Sequence, residues 1–342
     1  MSLGRRILVV GALPTPIGGV TSFVHRLASE NYIHRVADLY RSDAKSIPRS
    51  FNGRVFFFGG ILEFIISYLL STQLKKGVTD VHFNFSTASS IIIFGLIAFK
   101  GNRTFHLTLH HGILKSHLPR FLQKVLLSRV DVIYSLSKEQ FDFYKQFGKC
   151  VEEKVIPSSS FVPLTPLDDS NYSLNSVDEF LTGGKLIICS GFCTKLYNHD
   201  WVIRLINEVA TDSQLLVFLY GNIDDEYLKT LESYSKVTKR VKLIFNASQD
   251  NFNFYLAKSD LYIRPTEIDS FGIAVADAVN FGVRVLASDV CKRYPGAYLF
   301  TPSNYDSLVN AYRLLISEPG KLDVECGSSR IFEYSFINKS NT

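Results

Sequence analysis

The stretch RPTEIDSFGIAVADAVNFGVRVLAS, residues 264–288, decides how the chain is read. It sets two carboxylates, Asp269 and Asp277, eight positions apart, with Ser270, Phe271 and Gly272 directly after the first. The apolar run DLYIRP leads into it, the helical pattern AVADAVNFG follows, and VRVLAS closes it. An apolar strand, a loop with an acid and a glycine, a helix and another apolar strand make the repeating unit of a parallel α/β sheet. In such sheets the loops after the strands collect at one edge, and ligands bind there.

The same alternation extends in both directions. Upstream, RRILVVGAL, RVFFFG, VTDVHFNFS, TFHLTLHHG and VDVIYSLS read as strands. Between them VTSFVHRLASE carries Val20, Phe23, Val24 and Leu27 on one helical face. ILEFIISYLLSTQLKK and SSIIIFGLIAF read as buried helices, with contact of one of these stretches with a bilayer surface left open, and LPRFLQKVLLSR as an amphipathic one. SKEQFDFYKQFG has Ser137 as N-cap and Gly148 as its stop. From Ser158 to Gly184 the periodicity lapses into Ser, Pro, Asp and Asn, after which KLIICSG restarts the pattern. The predicted class is α/β, with two Rossmann-like doubly wound domains facing a cleft. Residues 1–165 form the first, 166–184 a linker, 185–325 the second, and 326–342 a tail for which a return to the first domain is left open.

Totals narrow the class. The 342 residues are 46% hydrophobic and 20% charged, which calls for a buried core rather than disorder. A net charge of +5 is too small to indicate nucleic acid. Five cysteines without a CxxC pair suit a reduced, intracellular chain, and Cys189 and Cys193 read as packing residues. No apolar run reaches the ~20 residues of a spanning helix.

Four loops after strands hold the candidate site residues. In GALPTPIGG, Gly18 and Gly19 precede a helix, where backbone N–H groups can meet a phosphate. In LTLHHG, His110 and His111 stand at a strand end, suited to accepting a proton or bonding a sugar hydroxyl. In CSGFCTKLYNHD, Gly191 and then Lys195 follow a strand, and the lysine suits a diphosphate charge. In the fourth loop, N–H groups at Gly272 open a helix, Asp277 can accept two hydrogen bonds from a vicinal diol, and Asp269 can hold hydroxyls of a second ring. Each of these also has a bland reading as a turn, a packed histidine, a solvated lysine or a helix-dipole charge.

Together these residues resemble the retaining GT-B glycosyltransferases of the GT4 family, glycosyl transferases group 1. That family carries P-S-x-x-E-G-F-G-x-x-x-x-E-A, and here the matching positions are Asp269, Phe271, Gly272 and Asp277, with Gly282 and Val285 beyond. The resemblance implies a nucleotide-sugar donor on the second domain and an acceptor on the first. Asp277 would contact the ribose, Asp269 the donor sugar, and amides near Ser270, Phe271 and Gly272 the diphosphate, with Lys195 as its cation. Gly18 and Gly19 would form the glycine loop, and the acceptor-domain histidine falls at His110 or His111, with His110 favoured. Both acids are Asp where the family has Glu, and Phe192 stands where it has Arg. Arg264 is placed either to supply that cation or to pair with a carboxylate, and Glu267 to substitute for Asp269 in a shifted loop.

The expected function is transfer of a hexose from a UDP- or GDP-sugar to a saccharide or lipid-linked saccharide hydroxyl, with retention, in bacterial surface polysaccharide assembly. No D-x-D occurs, so neither metal nor other cofactor is expected. The expected site is cytoplasmic, and Arg120, Lys124 and Arg129 leave open a peripheral contact with an anionic membrane. A GT-B-fold nucleotide-sugar epimerase and a non-catalytic nucleotide-sugar binding subunit stand as alternatives.

Overall fold

The computed structural model describes residues 4–14, 19–40, 47, 51–97, 101–110, 114–164, 172–269, 271–317 and 331–338. The chain divides into two units, Met1–Val162 with Gly327–Thr342, and Pro163–Cys326.

The first unit is built on seven parallel strands: β1 (Ile7–Gly11), β2 (Ile33–Asp38), β3 (Arg54–Phe57), β4 (Asp80–Phe85), β5 (Thr104–Leu109), β6 (Val132–Ser135) and β7 (Val155–Pro157). Their order is β3-β2-β1-β4-β5-β6-β7. The central strands are apolar on both faces because both are covered. Leu8 and Val10 pack with Phe83 and Leu107 on one side, while Ile7 and Val9 pack with Phe23 and Leu27 on the other. Phe332 and Tyr334 of the tail belong to the second of these clusters, and Phe332 N–H donates to Phe161 O at 2.7 Å.

Polar side chains buried under that face are partnered. Asp80 Oδ1 accepts from Arg5 Nη1 at 2.7 Å and from His106 Nε2 at 2.9 Å. His82 Nδ1 lies 2.8 Å from the Tyr334 hydroxyl, and its Nε2 lies 2.8 Å from Thr108 Oγ1.

The second unit repeats the plan with β8 (Lys185–Cys193), β9 (Ser213–Ile223), β10 (Val241–Phe245), β11 (Leu261–Arg264), β12 (Arg284–Ser288) and β13 (Ala297–Phe300), ordered β10-β9-β8-β11-β12-β13 and parallel throughout. Helices His199–Glu208 and Tyr305–Ser317 pack Val202, Ile203, Leu308 and Tyr312 into its core, and Cys189 and Cys193 are buried there as thiols. The α/β, doubly wound character expected of both halves is present.

Several local expectations are refined. Strands β2, β7 and β13 have no counterpart in the sequence reading. The helix expected through Lys76 stops at Leu70, and it is not buried: Phe64, Ile65 and Tyr68 face the core while Leu62, Ile66 and Leu70 face outward. Ser137 caps its helix as expected, its Oγ accepting from Gln140 N–H at 3.2 Å. That helix ends at Lys145, and Gly148, with φ 89, opens the next one. Within the stretch read as linker, Asn175–Asp178 is a helical turn with Val177 buried, tied to Tyr255 by the Leu174 N–H at 2.6 Å and by Asp178 Oδ1 at 2.8 Å.

Candidate functional site

Strands β8 and β11 are neighbours in the second sheet although two strands separate them in sequence. The strand order reverses between them, which opens a crevice beyond their carboxyl ends. Gly191 lies at the end of β8 and Arg264 at the end of β11.

Gly191 leaves room for an aromatic ring. A Cβ at this position would collide with Tyr197, which sits on the turn Lys195–Tyr197. The Arg264 guanidinium lies over that ring, 4.9 Å from its centroid. Its Nη1 donates to Ser190 O at 2.8 Å and its Nε to Asp269 Oδ2 at 3.1 Å. Arg264 thus pairs with the carboxylate, one of the two roles open to it from sequence.

A second guanidinium meets the same oxygen. Arg293 Nη1 donates to Asp269 Oδ2 at 2.6 Å, and its Nε donates to Ser288 O at 3.0 Å. The three side chains are 8%, 2% and 11% exposed for Arg264, Arg293 and Asp269. Burial raises the Asp269 carboxyl, but the Arg264 charge and the Arg293 hydrogen bond and charge outweigh it and hold the group below the usual carboxylate range. Burial works against the Arg264 charge, yet Tyr262, Asp269 and neighbouring phenols keep it firmly protonated. Among the described residues, two guanidiniums meet one carboxylate in this cluster, which leaves one positive charge in excess there.

Gly272 follows in the left-handed conformation, φ 75 and ψ 67, as N-cap of the helix Ile273–Asn280, with no side-chain cap. The first N–H groups of a helix lack partners within it and carry its positive dipole end. Asp277, on the second turn, is 1% exposed, so a ligand meets little of it unless neighbouring side chains move. Phe271 is half-buried, and Lys195 and Glu267 are exposed. Glu267 accepts only a long bond from Asn198 Nδ2, 3.4 Å, and takes no part in the arginine cluster. Ser270 lies outside the described residues.

In the first unit Gly19 is exposed and starts the helix Gly19–Ala28. His110 Nε2–H donates to Asn84 Oδ1 at 3.2 Å, and its ring leans on Phe23 at 4.7 Å. Burial lowers this imidazole to about 3, so at neutral pH it is an uncharged hydrogen-bonding group. Gly18 and His111 lie outside the described residues.

Residues 176–329, which contain the whole arginine–aspartate cluster and Asp277, match the family model for glycosyl transferases group 1. That segment, most of the second unit, is similar to a group 1 glycosyltransferase domain. Among curated proteins none matches the sequence. The fold is similar to that of Anabaena Alr3699/HepE in complex with UDP (TM-score 0.60, 16% identity, 93% of this chain and 91% of that one). It is also similar to a glycosyltransferase from Rickettsia africae ESF-5 (0.64, 15%, 92% and 88%). A candidate UDP-N-acetylglucosamine 2-epimerase from Listeria monocytogenes is comparably similar (0.62, 11%, 96% and 92%). These likenesses show the two-Rossmann GT-B fold.

In the second unit Phe192 packs edge-on to Tyr197 and Tyr220, with ring centroids 5.6 and 5.2 Å away. The guanidinium that reaches β8 is instead that of Arg264, through Ser190 O, and Arg293 joins it at Asp269. Arg293 had no sequence signal: it lies in the turn VCKRYPG after β12, outside any periodic run.

Proposed function

We propose that the chain is a retaining glycosyltransferase that moves a hexose from a UDP- or GDP-sugar to a hydroxyl of a saccharide or lipid-linked saccharide, in assembly of a bacterial surface polysaccharide. The observation that carries this reading is the coincidence of the group 1 match over 176–329 with a buried, positively charged cluster at the β8/β11 switch point. Structures of the similarly folded Anabaena protein hold UDP and UDP-glucose, which supports the donor class.

In this reading the Arg264–Arg293 excess charge, the exposed Lys195 and the amides after Gly272 stabilise the diphosphate as it leaves. Asp269, held in one orientation by two arginines, positions hydroxyls of the donor sugar, and Asp277 takes the ribose. His110, neutral, hydrogen-bonds a sugar hydroxyl and does not serve as the base. The resemblance implies front-face attack. The acceptor oxygen bonds to the anomeric carbon as the carbon–oxygen bond to phosphate breaks, and the acceptor proton passes to the departing phosphate. The chain's own part is positioning and charge stabilisation, with no metal in the proposed cycle.

The test is a thermal-shift screen of UDP, GDP, ADP and their sugars. A nucleotide at about a hundred times its Kd adds about 2.7 kcal/mol of stability. Asp277→Ala should abolish the shift for the right one, and the product's anomeric configuration, read by NMR with EDTA present, should be that of the donor. No shift with any nucleotide overturns the reading. The Listeria likeness supports one rival, an epimerase, which would yield a new sugar isomer from donor alone.

A further inference from the structure

The helix Ile61–Leu70, ILEFIISYLL, is apolar on every side, yet only one side is covered. Leu62, Ile66 and Leu70 are 67%, 57% and 80% exposed. A helix apolar all round is ordinarily buried, and a bare apolar patch marks a contact surface. Neighbouring segments extend it: Ile92 and Leu96 on one, Phe121 and Val125 on the helix Arg120–Ser128, are 44–72% exposed. The only acid on the helix, Glu63, is turned back to accept from Gly59 N–H.

Cations border this face. At its Leu70 end, Lys75 Nζ donates to Leu69 O at 3.0 Å, and Arg35 Nη1 donates to Lys76 O at 2.6 Å. There the turn meets a pocket of about 180 Å³ whose lining includes Arg6, Arg35, Arg54 and Lys76 and, among the described residues, no carboxylate. Burial and then the charges of Arg54 and Arg6 lower the Arg35 guanidinium, as expected where cations crowd. Arg120 and Lys124 stand on the helix Arg120–Ser128, which carries Phe121 and Val125.

We propose that this face docks on an anionic lipid bilayer, the outer side of Ile61–Leu70 lying among the acyl chains and the Arg6–Arg35–Arg54–Lys76 pocket taking a lipid phosphate. An apolar stripe bordered by cations is the pattern of an interfacial helix. A second copy of the chain fits less well, because pairing this face with itself would bring the two cationic borders together.

The test is co-sedimentation of the full chain with phosphatidylcholine vesicles made with and without phosphatidylglycerol. Binding is expected to the anionic vesicles only and to weaken with salt. The double variant Ile66→Glu/Leu70→Glu should lower the bound fraction about tenfold or more. Arg35→Gln/Arg54→Gln/Lys76→Gln should reduce binding and its salt dependence while leaving the apolar face intact. Thermal melts confirm that each variant is folded, and the nucleotide shift, which belongs to the other unit, reports separately on the donor site. Wild-type protein that stays in the supernatant overturns the proposal. So does concentration-dependent dimerisation abolished by Ile66→Glu, or stabilisation by inorganic phosphate without vesicle binding.

Discussion

Arg293 Nη1 and Asp269 Oδ2 meet at 2.6 Å in the space a side chain at Gly272 would fill: a Cβ there would lie 2.5 Å from that nitrogen and 3.2 Å from that oxygen. The left-handed turn and the ion pair therefore depend on each other. Gly272→Ala should destabilise the second unit by about 2 kcal/mol or more, since an L side chain at positive φ costs about 1–2 kcal/mol before the pair is disturbed. Asp269→Ala leaves two buried guanidiniums without their counter-ion, and breaking such a pair costs about 3–5 kcal/mol. Urea denaturation of the two variants checks both figures. A loss under 1 kcal/mol for Asp269→Ala, on the order of a surface pair, would mean that the cluster is hydrated and its charges weakly coupled.

Acid should weaken the fold well above the carboxylate range. His199 is fully buried, its Nε2–H donates to Phe192 O at 3.2 Å, and burial lowers it to about 3. His82, also fully buried, is lowered in the same direction by burial and then by His106. An unfolded histidine titrates near ~6.5. Between that value and the folded one the unfolded chain binds more protons, so stability rises with pH across the window and falls as pH drops. For His199 the loss at pH 5 is about 2 kcal/mol relative to pH 7. Asp269 acts in a lower window: its depressed folded value contributes stability above the unfolded ~3.9, which is lost as pH falls through the folded value. Melting curves at pH 7 and pH 5 should differ accordingly, and His199→Gln, which keeps a donor for Phe192 O, should flatten the dependence. An unchanged slope would show that His199 takes up its proton in the folded state.

What could be read from the sequence follows from burial. Strands with unbroken apolar runs, such as Ile7–Gly11 and Leu261–Arg264, declare themselves because both faces are covered. β2 escaped because His34 and Arg35 interrupt it, and both line the cationic pocket. β7 has three residues ending in a proline, and β13 is a partly exposed edge strand. The run Asp269–Gly272 singles out the loop that carries Asp269, but not Arg293, which reaches Asp269 across 24 positions by tertiary contact alone. The bare face of Ile61–Leu70 was hidden for the opposite reason: its composition is that of a core helix, and only packing reveals that half of it has no cover.

Tyr334 fixes the tail to the first sheet. It is fully buried, its hydroxyl lies 2.8 Å from His82 Nδ1, and its ring stacks on Phe336 at 5.1 Å. Tyr334→Phe keeps the ring and leaves His82 one partner short, at a cost of about 1–3 kcal/mol. Tyr334→Ala removes the ring as well and should cost about 3–5 kcal/mol. Protease sensitivity after residue 330, measured with urea denaturation, should rise in the same order. Equal behaviour of the two variants would assign the whole effect to the hydroxyl.

Phe192 offers the most direct test of the charge arrangement. It stands at the end of β8, where the family resemblance implies an arginine, is 38% exposed, and covers Gly221, whose added Cβ would lie 2.5 Å from the Phe192 ring. If Arg264 and Arg293 supply the positive charge for a diphosphate, a further guanidinium beside them should tighten nucleotide binding. A charge-assisted hydrogen bond contributes about 1.5–3 kcal/mol, so Phe192→Arg should lower the Kd for the preferred nucleoside diphosphate by about tenfold or more. The lost packing on Tyr197 and Tyr220 should lower the melting temperature of the free protein at the same time. Arg293→Gln is expected to move the Kd in the opposite direction. Calorimetric titration of the three proteins at one ionic strength decides the matter: a Kd unmoved by Phe192→Arg means that the diphosphate does not lie at the end of β8, and the aromatic ledge of Phe192, Tyr197 and Tyr220 then serves packing alone.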